Sequence, residues 1–285
     1  MSPSFELSHN AYGKSENRLV RIVRDTPRHE IRDVTVDVRL WGDFEHVYLE
    51  GSNEEIPATD TMKNTVFAMG KTHFSTGSIE DFGKELVKHF VATSPRVHTA
   101  LVHLVEHPWV RIPADAAGSD HTFYRGSSGD HVAWVEGDGE TFTVKGGLDD
   151  LFVLKSTESG FIGFERTEFT TLKETEDRIL ATIITAEWTY GDDVDDYQES
   201  WDAIRDIIVR RFADHYSDSV QQGIYNMGTA VLEARPEVLE VTIELPNKHH
   251  LVVDLAPFGI ENDNEVFVAT QDPYGLITGT VRRTE

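Results

Sequence analysis

Residues 151–182 read LFVLKSTESGFIGFERTEFTTLKETEDRILAT. The two ends are strand-like: LFVLKS opens the stretch, and RILATIITAEWTY (178–190) carries its last residues onward. Between them the chain is dominated by Thr, Glu and Lys, and in that setting stand an aromatic ring, Phe161, between Gly160 and Gly163, and a guanidinium, Arg178. Composition alone does not account for such a string. Taken singly, Phe161 reads as a core residue, and Arg178, which follows Glu176 and Asp177, reads as half of a surface ion pair.

Upstream, strand-like runs occur at 18–24, 34–40 and 44–50, the second alternating apolar and polar residues. ATDTMKNTVFAMGK (58–71) reads as a helix with Thr59 or Asp60 as N-cap. SIEDFGKELVKHFVATSP (78–95) is an amphipathic helix: Ile79, Phe82, Leu86 and Phe90 share a face, Ser78 caps the start and Pro95 lies beyond the end. Strands are predicted at 97–106 and 108–113, a loop at 114–130, and then three strands, VAWVEG, TFTVKGG and LFVLKS, with EGDGET as a hairpin turn. Downstream come helices at about 197–215 and 218–234, then strands VLEVTIEL, LVVDL, EVFVAT and GLITGTVRR. The same order of strands, two helices and strands recurs in both halves, which predicts two similar modules, residues 1–140 and 141–285.

The chain has 285 residues, 50 acidic against 26 basic, and a formal net charge of −24. That balance disfavours nucleic-acid binding, which needs a basic surface. It fits either an ordinary solvated surface or adaptation to a salty cytoplasm, and the run GDDVDDYQES (191–200) suits both. The absence of cysteine excludes disulfides, thiolate nucleophiles and cysteine metal sites. No apolar run is long enough to span a membrane, and the N-terminus has no signal-peptide pattern, so a cytoplasmic location is expected. Phosphate-binding glycine motifs and H-E-x-x-H are missing, and GSSGD (126–130) fails the spacing of a nucleophile elbow. Of the 13 histidines, His98, His103 and His107 are the tightest group, but strand geometry turns His98 away from the others, and a metal site is not expected.

Three further segments, AYGK (11–14), ATDTMKNTV (58–66) and LPNKHHLVVDL (245–255), stand in order with residues 151–182. Together the four resemble the urate oxidase (uricase) family, of bacterial or archaeal type, and the similarity runs from residue 11 to about 283. The stretch 108–131 matches only through WVRI and DHTFYR, and the terminal VRRTE lacks the S-K-L peroxisomal signal. The resemblance implies an α+β protein of tandem tunnelling-fold (T-fold) modules, each an antiparallel sheet with a helix pair on one face, assembled as a homotetrameric barrel with sites at subunit interfaces. It implies cofactor-free oxidation of urate by O2. Phe161 would stack on the purine and Arg178 would form a forked pair with its edge. The Val220 backbone and Gln221 would bind the opposite edge, and Asn247, with Thr59, would hold dioxygen or peroxide. Lys14, Thr59 and His249 would relay protons, and Thr59, with Asp60 that follows it, would also belong to the substrate-binding set, as would Asn247. Rival readings are a zinc-dependent pterin- or purine-ring enzyme of the same fold, which the lack of cysteine disfavours, and a non-catalytic purine-binding protein.

Overall fold

The computed structural model describes every residue except 1–4, 114, 116, 117, 127, 193, 271 and 285. The chain falls into two compact units: residues up to Gly147 with Thr189–Trp201, and Leu148–Trp188 with the residues from Asp202 on.

In the first unit, β1 (Tyr12–Val23), β2 (Glu30–Gly42), β3 (Val97–Glu106) and β6 (Asp130–Gly137) lie side by side in that order, each pair antiparallel. Alternation puts Val34, Val36, Val38 and Leu40 on one face, and all four are buried. That face is covered by α2 (Thr59–His73), packed on β1, and by α3 (Ile79–Thr93), packed on β3 and β6. Met62 and Val66 of α2 and Phe82, Leu86 and Phe90 of α3 complete the core. A short α1 (Glu45–Leu49) precedes α2, and β4 (Trp109–Arg111) pairs with β5 (Phe123–Arg125) as a separate ribbon.

The second unit repeats this plan. Its strands run in the order β7 (Phe142–Lys155), β8 (Leu180–Tyr190), β9 (Val238–Asn247), β12 (Gly275–Arg282), although β7 begins and β8 ends in the first unit. Helices α4 (Tyr197–Ala213) and α5 (Val220–Ala234) follow β8, and α5 packs on β9 and β12. β10 (His250–Val252) and β11 (Phe267–Ala269) form the matching ribbon. The repeat can be followed residue by residue: 220 minus 79, 238 minus 97 and 250 minus 109, the starts of α5 and α3, β9 and β3, β10 and β4, all give 141. β3 and β9 alternate buried and open positions identically, and both α3 and α5 are capped by a serine, Ser78 and Ser219. In each unit the residue after the third sheet strand donates its N–H into the second at 2.8 Å, His107 to the Asp33 carbonyl and Lys248 to the Ala181 carbonyl.

The structure corrects four local expectations. Residues 45–49 are helical rather than extended, because Phe44 is buried as an anchor and turns the chain. Ala58, not Thr59 or Asp60, is the N-cap of α2; the Asp60 carboxylate instead accepts hydrogen bonds from Lys63 and Asn64. Phe123–Arg125 is a strand within the stretch read as loop. TFTVKGG and LFVLKS belong to a single strand, β7. Val144, Gly146 and Leu148 are buried before the phase change and Leu151 and Lys155 after it, with the change at Asp149–Asp150, where Asp150 has φ 55°.

Candidate active site

A pocket of about 570 Å³ opens in the second unit. It is lined by Phe161, Arg178, Asn247 and His249, four of the residues singled out in the sequence, together with Lys173, Thr175 and His250 among others. One wall comes from the β7–β8 connection, which is held as a narrow ribbon: Phe161 N–H donates to the Thr175 carbonyl at 2.7 Å, and Thr175 N–H returns the bond at 3.2 Å. Thr175 and Thr157 engage Asp177 through their hydroxyls at 2.6 and 2.9 Å, which keeps the chain turned just before Arg178. Thr175 bonds the Asp177 carbonyl and Thr157 its carboxylate.

Arg178 is half-buried, its Cζ lies 5.3 Å from the centre of the Phe161 ring, and the Phe161 ring stacks on Phe164. The one hydrogen bond of the guanidinium among the described residues is from Nε to Ser159 Oγ at 3.4 Å, and no carboxylate there lies within ion-pair distance. Burial pulls the Arg178 pKa below its ordinary value, against the influence of Tyr216, but a guanidinium stays charged at neutral pH. A half-buried cation beside an aromatic face, with no anion of its own, is a seat for a flat anionic ligand. Asn247 ends β9, and His249 is fixed through its carbonyl, which accepts from the Thr270 N–H and hydroxyl at 2.9 and 3.2 Å.

Val220 and Gln221 are the first two residues of α5, so their backbone N–H groups belong to the unsatisfied donors of a helix start. They do not line the pocket, but the turn that leads into α5 joins its wall. Ser217 accepts from Gly160 N–H at 3.0 Å and donates to the Glu158 carbonyl at 2.9 Å. Val220 is buried and the Gln221 side chain is exposed.

Lys14, Thr59 and Asp60 belong to the first unit. A bulge in β1 between Lys14 and Asn17 is filled by the buried Asn17 amide, which donates to the Lys14 and Val36 carbonyls at 3.0 and 2.8 Å. Tyr12 donates to the Pro57 carbonyl at 2.9 Å and packs edge-on against Phe44, fixing the chain two residues ahead of Thr59. Thr59 is exposed at the first turn of α2 and lines a second pocket, of about 350 Å³, with Tyr12. The Lys63 hydrogen bond and charge, then Asn64 and the Lys14 charge, hold the Asp60 carboxyl below the usual range. His98, His103 and His107 each face a different carboxylate, Asp43, Asp37 and Asp130, at 3.2, 3.5 and 3.2 Å.

A family model described as Uricase matches residues 10–136 and 144–278. The chain belongs to the uricase family. It is 43% identical over 277 residues to a uricase of Arthrobacter globiformis, covering 97% of this chain and 90% of the relative. It is 37% identical over 282 residues to a uricase of Dictyostelium discoideum, covering 98% of each. The crystal structure of uricase from Arthrobacter globiformis superposes with a TM-score of 0.92 at 43% identity, covering 99% of this chain and 96% of that one. Urate oxidase from Bacillus sp. TB-90, at 23% identity and a TM-score of 0.83, covers 96% and 100% and shares the fold. For this uricase-family chain, sequence reading missed Lys173 and Thr175 as pocket walls and Lys155 behind them. A signal for Lys155 was present: it continues the every-second-residue spacing of Leu151 and Val153.

Proposed function

We propose that the chain oxidises urate with dioxygen and water to 5-hydroxyisourate and hydrogen peroxide without a cofactor, and that Phe161, Arg178, Asn247 and His249 form the ligand-facing part of the site. The observation that carries this reading is the half-buried Arg178 guanidinium beside the Phe161 ring, with no carboxylate within ion-pair distance among the described residues. Urate is flat and anionic: the ring stacks on Phe161, and its edge takes the guanidinium fork. Val220 N–H and the Gln221 amide bind the opposite edge. Asn247, with Thr59, receives dioxygen above the plane.

Triplet dioxygen reacts slowly with closed-shell organic molecules, so the substrate must itself become a strong reductant. Lys14, Thr59 and His249 remove and pass on a second proton, leaving a urate dianion able to give up one electron. The radical pair closes to a hydroperoxide at C5. Water then displaces hydrogen peroxide, so that both oxygen atoms of O2 leave as peroxide and the new hydroxyl comes from water. Asp60 orients Lys14 by charge.

The reading extends to two modules, 1–140 and 141–285, to a homotetramer in which Lys14 and Thr59 of one chain complete the site of another, and to a cytoplasmic location. Among the described residues no helix is long and apolar enough to cross a membrane. The deciding experiment follows loss of urate absorbance together with oxygen uptake in metal-free buffer containing a chelator. Stoichiometric loss of both supports the reading, and a requirement for added metal overturns it in favour of a zinc-dependent ring enzyme. Folded, fully active monomers on dilution would overturn the shared site alone.

A further inference from the structure

Behind the pocket lies a lysine with no part in the scheme above. Lys155, the last residue of β7, is 9% exposed, and among the described residues no carboxylate lies within ion-pair distance of it. Its ammonium donates to the His215 carbonyl and to Ser217 Oγ, the latter at 3.4 Å, and sits 5.7 Å from the centre of the Phe212 ring. Burying an ammonium without a counter-ion is costly, and the two bonds it makes in return both go to the turn at 215–217. Burial pulls its pKa below the ordinary lysine value, against the pull of Glu158 and Asp214.

The turn at residues 215–217 ties together the two sides of the β7–β8 connection, which carries Phe161 and Arg178. Through Ser217 it bonds Glu158 and Gly160, the residues leading into Phe161. Through the Tyr216 hydroxyl it bonds the Glu176 carbonyl at 2.7 Å, two residues before Arg178. Tyr216 reaches that carbonyl by crossing Gly160, where a Cβ would stand 2.2 Å from the phenol oxygen and displace it. Two residues further on, Ser219 caps α5 by accepting from Gln222 N–H at 3.1 Å and so sets where Val220 and Gln221 begin. Glu158 holds φ 60°, a left-handed conformation that a glutamate does not choose unaided, and its carbonyl is the one that Ser217 grips.

We infer that Lys155 is a positioning residue for the substrate site: it latches the 215–217 turn to the end of β7 and thereby fixes Phe161 and Arg178 relative to the first turn of α5. The inference rests on the proposed function. Because the latch acts on groups that bind the substrate rather than on the proton relay, its loss appears in KM more than in kcat.

The test compares the full-length wild-type protein with Lys155→Met, which keeps the length and removes the charge. Steady-state urate oxidation is measured with thermal unfolding of the same samples. The expected result is a KM raised roughly tenfold or more, as small displacements of binding groups produce, with kcat within about threefold of wild type. Tyr216→Phe, which removes only the bond to Glu176, is expected to raise KM in the same sense by a smaller factor, and it supplies the reading if Lys155→Met does not fold. A lowered melting temperature with KM unchanged overturns the latch and leaves a merely structural lysine. An unchanged KM in Tyr216→Phe, where Lys155→Met does not fold, overturns it equally. If wild type does not turn over urate, the proposed function fails and the latch fails with it; wild-type turnover with an unaltered KM in the variants sinks the latch alone.

Discussion

The two units place different side chains on the same scaffold positions. At the second residue of the helix, the first unit has Glu80 and the second has Gln221. Glu80 is completely buried and accepts from His131 Nε2 at 2.8 Å, and the His131 ring stacks on Trp201 at 4.4 Å. Beside them Lys84 donates to the Tyr197 hydroxyl at 2.6 Å. Gln221 is exposed, and its side chain has no hydrogen-bond partner among the described residues. At the end of the third sheet strand, Glu106 is bound by Arg32, whereas Asn247 lines the open pocket. Where the second unit has Ala181, the first has Asp33, buried under Arg18 and Trp109 at 2.8 and 2.9 Å with Arg125 at 3.6 Å. One unit has used its charged groups to close this end of the sheet. The other has neutral groups at the same places, and nearby the Arg178 guanidinium, which has no carboxylate within ion-pair distance among the described residues. A binding site can therefore arise on a repeat by leaving partners out as well as by adding ligands.

This contrast can be broken from either side. Replacing His131 by Leu leaves Glu80 buried without its partner, and the expected loss is about 3 kcal/mol of unfolding free energy in a denaturant titration, with KM for urate unchanged in the folded fraction. Arg178→Ala should do the opposite: roughly a hundredfold loss of kcat/KM, with a melting temperature within about two degrees of wild type. A stability loss like that of His131→Leu would show that Arg178 is structural.

Asp33 sharpens the comparison through pH. Burial pushes its carboxyl upward, but the hydrogen bonds from Arg18 and Trp109 and the charges of Arg18 and His107 outweigh that, and its pKa lies below the usual carboxylate value. Its stabilising contribution is therefore fully present above the ordinary carboxylate pKa and is lost as pH falls through the depressed one. Asp33→Asn should cost about 1–2 kcal/mol at neutral pH and flatten the acid limb of a stability-against-pH curve. The smallest effect concerns approach to the open end. With a net charge of −24 on the chain, an anionic substrate is repelled at long range. Raising salt from about 0.05 to 0.5 M should lower KM roughly twofold by screening, and a KM that climbs steadily with salt would contradict this.

The sequence made the repeat legible because its helices carry strong amphipathic stripes and its sheet strands alternate cleanly, as at Val34–Leu40. The helix cap at Ser78 was legible for the same local reason. The short helix at 45–49 was not, since Phe44 takes its place by burial in the core, a tertiary effect that no local pattern carries. The join within β7 was hidden because a change of phase looks like a turn when only the pattern is read. For the site, Phe161, Arg178, Asn247 and His249 were reached through family resemblance, and their clustering around one pocket needed the fold. Lys155 and Tyr216 escaped because their work is done through backbone carbonyls far away in the chain.

The half-step at Asp149–Asp150 carries more than a bend. It decides that Leu151, Val153 and Lys155 point inward while Phe152 and Leu154 point out. Deleting a single residue there would swap the two sets, sending the ammonium to water and two large apolar side chains into its berth. The geometry of the pocket, some distance further along the chain, thus depends on a parity set by one left-handed aspartate.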